Sequence, residues 1–216
     1  PHAQPFDLAE KSDGELIGLL GDPNVYYRET AQRLLSERAN DAAIREQLEA
    51  LVLDSSVDMT HRTHALWARF STQNESGAVD ADREFAKTLW EMDEPRFQRW
   101  GIRMARSCRT PALTGIQHEL LDFAKNEDPV LKLEAAIGAD CDVCNDTLRI
   151  LLTACATCGD DPLIPHVVWE NLEPLLEDHS DEFLKIVSEY DLKETPNLAN
   201  LMPRITERLL DRREEE

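Results

Sequence analysis

Two cysteine pairs, Cys141-Asp-Val-Cys144 and Cys155-Ala-Thr-Cys158, give this sequence its clearest metal-like spacing, CxxC followed by CxxC ten residues later. Four thiolates are a usual zinc set. The segment between the pairs, NDTLRILLTA, argues against one shared site. It reads as a helix capped by Asn145 or Asp146, with Leu148, Leu151 and Leu152 on its core face. Fourteen residues separate Cys141 from Cys155, roughly 20 Å along a helix axis. Zinc needs every sulfur within about 2.3 Å of one point. Asn145 and Gly159 follow the two pairs, so neither is the CxxCH of c-type haem attachment, and no βαβ pattern surrounds them to suggest a thioredoxin-like role. Cys141 and Cys144 fall in a loop open to a local disulfide, with Cys108 as a rival partner in an oxidising compartment; Cys155 and Cys158 read as small buried hydrophobes at a helix end. A metal-binding or thiol redox module built on Cys141, Cys144, Cys155 and Cys158 therefore stands as the alternative function.

Other chemistry finds little support. The six histidines are scattered without HExxH spacing, although His61 and His64 lie one helical turn apart. There is no glycine-rich phosphate loop and no GxSxG turn. Carboxylates are too abundant for any two to be singled out as acid and base. The expectation is a chain with no catalytic residues and no cofactor of its own.

The formal charge of −20 at pH 7 repels phosphate backbones and anionic lipid headgroups, which excludes nucleic acid as a partner and leaves basic protein surfaces. No apolar run approaches the ~18 residues that a membrane span needs, so no membrane insertion is expected of this segment. Opening on Pro1, the chain reads as part of a longer protein.

The elements that position these residues follow a repeat. An acidic residue recurs at Asp22, Asp58, Glu94, Asp128 and Asp161, and Pro23, Pro95, Pro129 and Pro162 directly follow four of them. Thr195-Pro196 suggests a sixth copy. A carboxylate accepts the free N–H groups of a helix's first turn, and proline at the first helical position loses no bond it would otherwise make. Each copy thus marks a helix start. A basic or potentially basic residue runs in phase at Arg28, Arg62, Arg99, Lys132 and His166, three residues before an apolar position at Ala31, Ala65, Ile102, Ala135 and Trp169. Amphipathic stretches at Glu15 to Leu20, Ala42 to Leu53, Asp82 to Met92, Leu113 to Ala124, Thr147 to Ala156 and Glu182 to Tyr190 supply a first helix for each unit. Ser71 to Ala78 is a polar loop. The expected fold is all-α, a single domain over 1–216 forming a right-handed α-solenoid of about six HEAT-like helical pairs. The units fall near 13–40, 41–73, 79–109, 111–141, 145–178 and 180–213.

The acidic-Pro start followed by a basic residue a turn later resembles the second helix of HEAT repeats. In that family, Asp and Arg form a ladder between successive repeats. The resemblance implies such a role for Asp22, Arg28, Asp58, Arg62, Glu94, Arg99, Asp128 and Lys132, with Asp161 and His166 as a further rung. The second unit departs by carrying Met59 where proline would stand, and the sixth carries Thr195 for the acid and Asn200 for the cation. Second helices line the concave surface of HEAT solenoids, so Tyr27, Trp67, Trp100 and Trp169, together with Tyr26, are candidates for a partner-binding groove. Leu16 to Arg38 (LIGLLGDPNVYYRETAQRLLSER) and Asp160 to Glu173 (DDPLIPHVVWENLE) resemble the HEAT region of large planctomycete-type membrane-bound dehydrogenase and haem-binding proteins. That resemblance implies an extracytoplasmic, periplasmic setting in which the solenoid is a non-catalytic scaffold. It would space or dock flanking domains of the same redox chain, a sugar-dehydrogenase-like propeller and a cytochrome c module.

Overall fold

The computed structural model of the chain describes residues 7–38, 42–71, 79–107, 116–139 and 146–211. Among these it is all-helical, with twelve α-helices and no strand. Carboxylates set the helix starts. Asp58 takes the His61 N–H at 3.0 Å ahead of α4 (Met59–Phe70). Asp128 takes those of Val130 at 2.7 Å and Leu131 at 3.4 Å ahead of α8 (Pro129–Gly138). Asp161 takes those of Leu163 at 2.8 Å and Ile164 at 3.0 Å ahead of α10 (Leu163–Leu172). At α2 (Val25–Arg38) the work is relayed: Asp22 accepts from Asn24 at 2.8 Å, and Asn24 Oδ1 accepts from Tyr26 at 3.0 Å. Pro95, Pro129 and Pro196 are the first residues of α6 (Pro95–Ser107), α8 and α12 (Pro196–Asp211), where a missing N–H costs nothing. Asp128→Ala leaves two first-turn N–H groups of α8 without their acceptor. It is expected to cost about 1 kcal/mol, read as a lower urea midpoint with an unchanged slope.

The chain forms two compact units, Pro1–Phe85 and Ala86–Glu216, and the boundary falls inside α5 (Val79–Trp90). In the first unit, Ser12 and Glu15 make a reciprocal capping box for α1 (Asp13–Leu19). Helix α1 packs on α2, α3 (Ala42–Leu53) on α4, and α2 on α4. Leu16, Leu20, Ala31, Leu35, Leu48, Val52, Ala65 and Leu66 are the buried faces of these four helices. Arg69, on the last turn of α4, is fully buried and ion-paired to Glu49 at 2.6 Å and Asp82 at 2.7 Å, with its guanidinium 5.4 Å from the Phe85 ring centre.

In the second unit, second helices pack on second helices in series, α6 on α8, α8 on α10 and α10 on α12. First helices do the same: α7 (Ile116–Lys125) on α9 (Thr147–Thr157), and α9 on α11 (Ser180–Val187). Helices α7 and α8, and α9 and α10, pair within their hairpins. The core runs through Phe97, Ile102, Leu131, Ala135, Leu151, Val168, Phe183 and Ile205. Gly101 permits the close approach of α6 to the end of α5: a Cβ there would stand 2.5 Å from Trp90 Cδ1 and 2.8 Å from the Ala86 carbonyl oxygen. Gly159, at φ +59°, takes the left-handed turn that ends α9.

Candidate functional site

The phased acids and cations separate into two tasks. The acids cap helix starts as described above, and Glu94 accepts weakly from Arg96 N–H at 3.3 Å. The cations reach main-chain carbonyls. Arg28 donates to the carbonyl oxygens of Asp22 at 2.6 Å and Pro23 at 3.0 Å, in the turn after α1. Arg62 Nε donates to Val52 O at 2.8 Å, in the last turn of α3. Lys132 Nζ donates to Thr157 O, the last residue of α9. The final carbonyls of a helix have no intrahelical partner and carry the negative end of its dipole, so a cation there satisfies both. Helices α3 and α9, whose last turns supply Val52 O and Thr157 O, have no basic residue in those turns, which is the sequence signal for this arrangement. Arg99 differs from these three, because its Nε is buried without a hydrogen-bond partner. His166 lies 4.0 Å from Glu170 on its own helix.

Between α2 and α4 the cation series meets a histidine. Arg28 Nε donates to His64 Nε2 at 3.3 Å, which leaves the His64 proton on Nδ1, facing Gln32 Oε1 at 2.8 Å. His61, one turn earlier, sits 2.9 Å from Ile17 O through Nε2. Burial holds the His64 pKa below its ordinary 6.5; the Arg28 charge lowers it further, Glu29 raises it and His61 lowers it. Below pH 6.5 the unfolded chain takes up a proton at this position that the folded chain resists. Stability is therefore retained above that pH and lost as pH falls through it. Urea midpoints from about pH 7.5 to about pH 5 should fall for the native chain and fall less for His64→Asn.

The aromatic candidates divide by burial. Tyr26 is exposed, Tyr27, Trp67 and Trp100 are half-buried, and Trp169 is buried at 2% exposure with Arg204 of α12 lying 4.1 Å over its ring. Trp67 meets His64 edge-on at 5.0 Å, and Arg103 lies 4.9 Å over Trp100. The indole N–H groups of Trp67, Trp90 and Trp169 are buried without acceptors.

Helix α9 is present over Thr147–Thr157, as the NDTLRILLTA segment predicts, and carries the second cysteine pair at its C-terminal end. Cys108, Cys141 and Cys144 lie outside the described residues. Cys155 and Cys158 are buried free thiols. Cys158 Sγ stands 3.1 Å from Cys155 O as a donor and receives Asn197 Nδ2–H at 3.2 Å as an acceptor. Asn197, on the first turn of α12, also donates to Gly159 O. The hydrogen bond between the two sulfurs holds the Cys158 thiol down to about 7 and, together with burial, pushes the Cys155 thiol far up. Asn197 and Gln32 have no counterpart among the sequence candidates.

Among the described residues no cluster of three or more His, Cys, Asp or Glu could hold a metal ion, and no helix is long and apolar enough to cross a membrane. No protein-family model, no curated protein and no solved structure matches this chain.

Proposed function

We propose that the chain is a right-handed α-solenoid of about six HEAT-like helical pairs that works as a non-catalytic interaction or spacer scaffold. On this reading it is a segment of a larger extracytoplasmic redox protein, whose flanking domains or protein partners it holds in place. The observation that carries the proposal is the serial packing of like on like. Second helices follow one another from α6 through α12 in the second unit, and α2 meets α4 in the first. A hairpin of two helices buries only one face, and stacking its neighbours on the other is how α-solenoids gain a continuous core.

A further observation supports an interaction role over a purely structural one. Val25, Val130 and Leu163 are exposed at 51%, 39% and 48%, each two or three residues after the acid of its helix start. Apolar side chains recurring at the same turn of three repeats offer contact points that a solvated surface does not require. The net charge favours a basic partner.

Crosslinking of the full-length protein, mapped by mass spectrometry, tests this. Crosslinks from the described helices to one recurrent flanking segment or partner are expected. Their complete absence, with crosslinks forming elsewhere in the same protein, would overturn the scaffold reading.

A further inference from the structure

Cys155 and Cys158 are held in an arrangement that simple core packing does not require. Both lie at the C-terminal end of α9, with Cys158 as a cap residue of still helical conformation, φ −76° and ψ −4°. Three residues on a helix bring their Cα atoms to about 5 Å, inside the window of roughly 4.4–6.8 Å that a disulfide requires. Polar groups from three helices converge on the pair. Asn197 of α12 donates to Cys158 Sγ, Lys132 of α8 places its ammonium on the adjacent Thr157 carbonyl, and Cys155 itself belongs to α9. The end of a helix disfavours a thiolate, because its free carbonyls are negative. Lys132 offsets that penalty, and the Asn197 N–H offers an anionic sulfur a donor. Asp161 is the opposing charge. The two thiols are also unequal in access, with Cys158 at 7% exposure and Cys155 at 0%.

We propose that Cys155 and Cys158 form a redox-active dithiol that exchanges with low-molecular-weight disulfides, with Cys158 attacking and Cys155 resolving. The Cys158 thiolate attacks one sulfur of an incoming disulfide RSSR, forming Cys158–S–S–R and releasing RS⁻, which takes a proton from solvent. The Cys155 sulfur then attacks the Cys158 sulfur, and its proton passes to the departing RS⁻, releasing the second RSH. The sum is two protein thiols plus RSSR giving one protein disulfide plus two RSH. The two electrons leave the dithiol and reduce the incoming disulfide. Only Cys158 has to meet the oxidant, so the burial of Cys155 is no obstacle. Closing the bond takes from Asn197 the thiolate that it had been donating to. The redox state of the pair is thereby coupled to the contact that α12 makes with the end of α9.

The test incubates the folded chain with oxidised glutathione, quenches with N-ethylmaleimide and digests with trypsin. Cleavage after Arg149 places Cys155 and Cys158 on a different peptide from Cys141 and Cys144. The expected product is a disulfide within the Cys155–Cys158 peptide. Cys155→Ser should stop at a glutathione adduct on Cys158, and Cys158→Ser should leave Cys155 unmodified. Two alkylated thiols on that peptide, or a disulfide from either cysteine to another part of the chain, would overturn the proposal.

A measurement on the native pair guards against variants that fail to fold. The pH profile of Cys158 modification should be half-maximal near 7 in the native chain. In Cys155→Ala, with helicity unchanged, it should move toward the ordinary thiol value of 9.0, because the hydrogen bond with Cys155 is the largest cause of the lowering, and the rate at neutral pH should fall several-fold. A profile already at the ordinary value in the native chain would contradict an activated Cys158.

Discussion

Arg69→Met is expected to destabilise the first unit by about 3–5 kcal/mol, because it leaves a buried carboxylate without its cation. Arg69 has no exposed surface and Asp82 only 1%, and the two meet at 2.7 Å, while Glu49 at 26% side-chain exposure closes the other side at 2.6 Å. Removing Arg69 costs most at Asp82. Glu49 can turn to solvent, but Asp82 cannot, and its Oδ2 already lacks a hydrogen-bond partner. Methionine fills the aliphatic volume beside Phe85 without supplying charge. A chemical denaturation midpoint measures the loss. The double variant Arg69→Met with Asp82→Leu should recover much of it, since replacing both members of a buried pair by apolar groups is often close to neutral. Equal instability of the single and double variants would mean that packing around Arg69, and not the uncompensated charge, carries the effect.

Trp169→Ala is expected to cost the second unit about 3–5 kcal/mol, the range for emptying a large buried aromatic site. This substitution separates two readings of one residue. An anchor in an open groove can be cut to alanine with little loss of stability and a large loss of binding. At 2% exposure, beneath the Arg204 guanidinium at 4.1 Å, Trp169 instead belongs to the packing of α10 against α12. Loss of the cation–π contact adds roughly 0.5–2 kcal/mol to the vacated volume. Trp169→Phe should cost far less, because the indole N–H that it removes has no acceptor. Thermal unfolding of the two variants beside the native chain reads the difference directly.

The parts of this fold that were legible in the sequence are those governed by local chemistry. Asp58, Asp128 and Asp161 mark their helices because a carboxylate reaches N–H groups only two or three residues away. Ala42 to Leu53, read from apolar spacing alone, has the same bounds as α3. The cation series was legible as a series, but its partners were not. A main-chain carbonyl at a helix end carries no residue identity, so nothing in the letters distinguishes Val52 O or Thr157 O as acceptors. Contacts across long separations left no trace: Arg69 finds Asp82 thirteen residues on, and Asn197 finds Cys158 thirty-nine residues back. Trp169 illustrates a different limit. Tryptophan serves groove and core equally well, and only burial tells them apart.

The central claim, that this chain holds a partner, is tested most directly by hydrogen–deuterium exchange on the isolated chain and on the same residues within the full-length protein. Amides at the first turns of helices exchange readily unless covered, so they report contact without a catalytic readout. The account predicts slowed exchange in the full-length protein at the turns bearing Val25 to Tyr27, Val130 and Leu163. Identical exchange at every one of these turns in the two samples would contradict it.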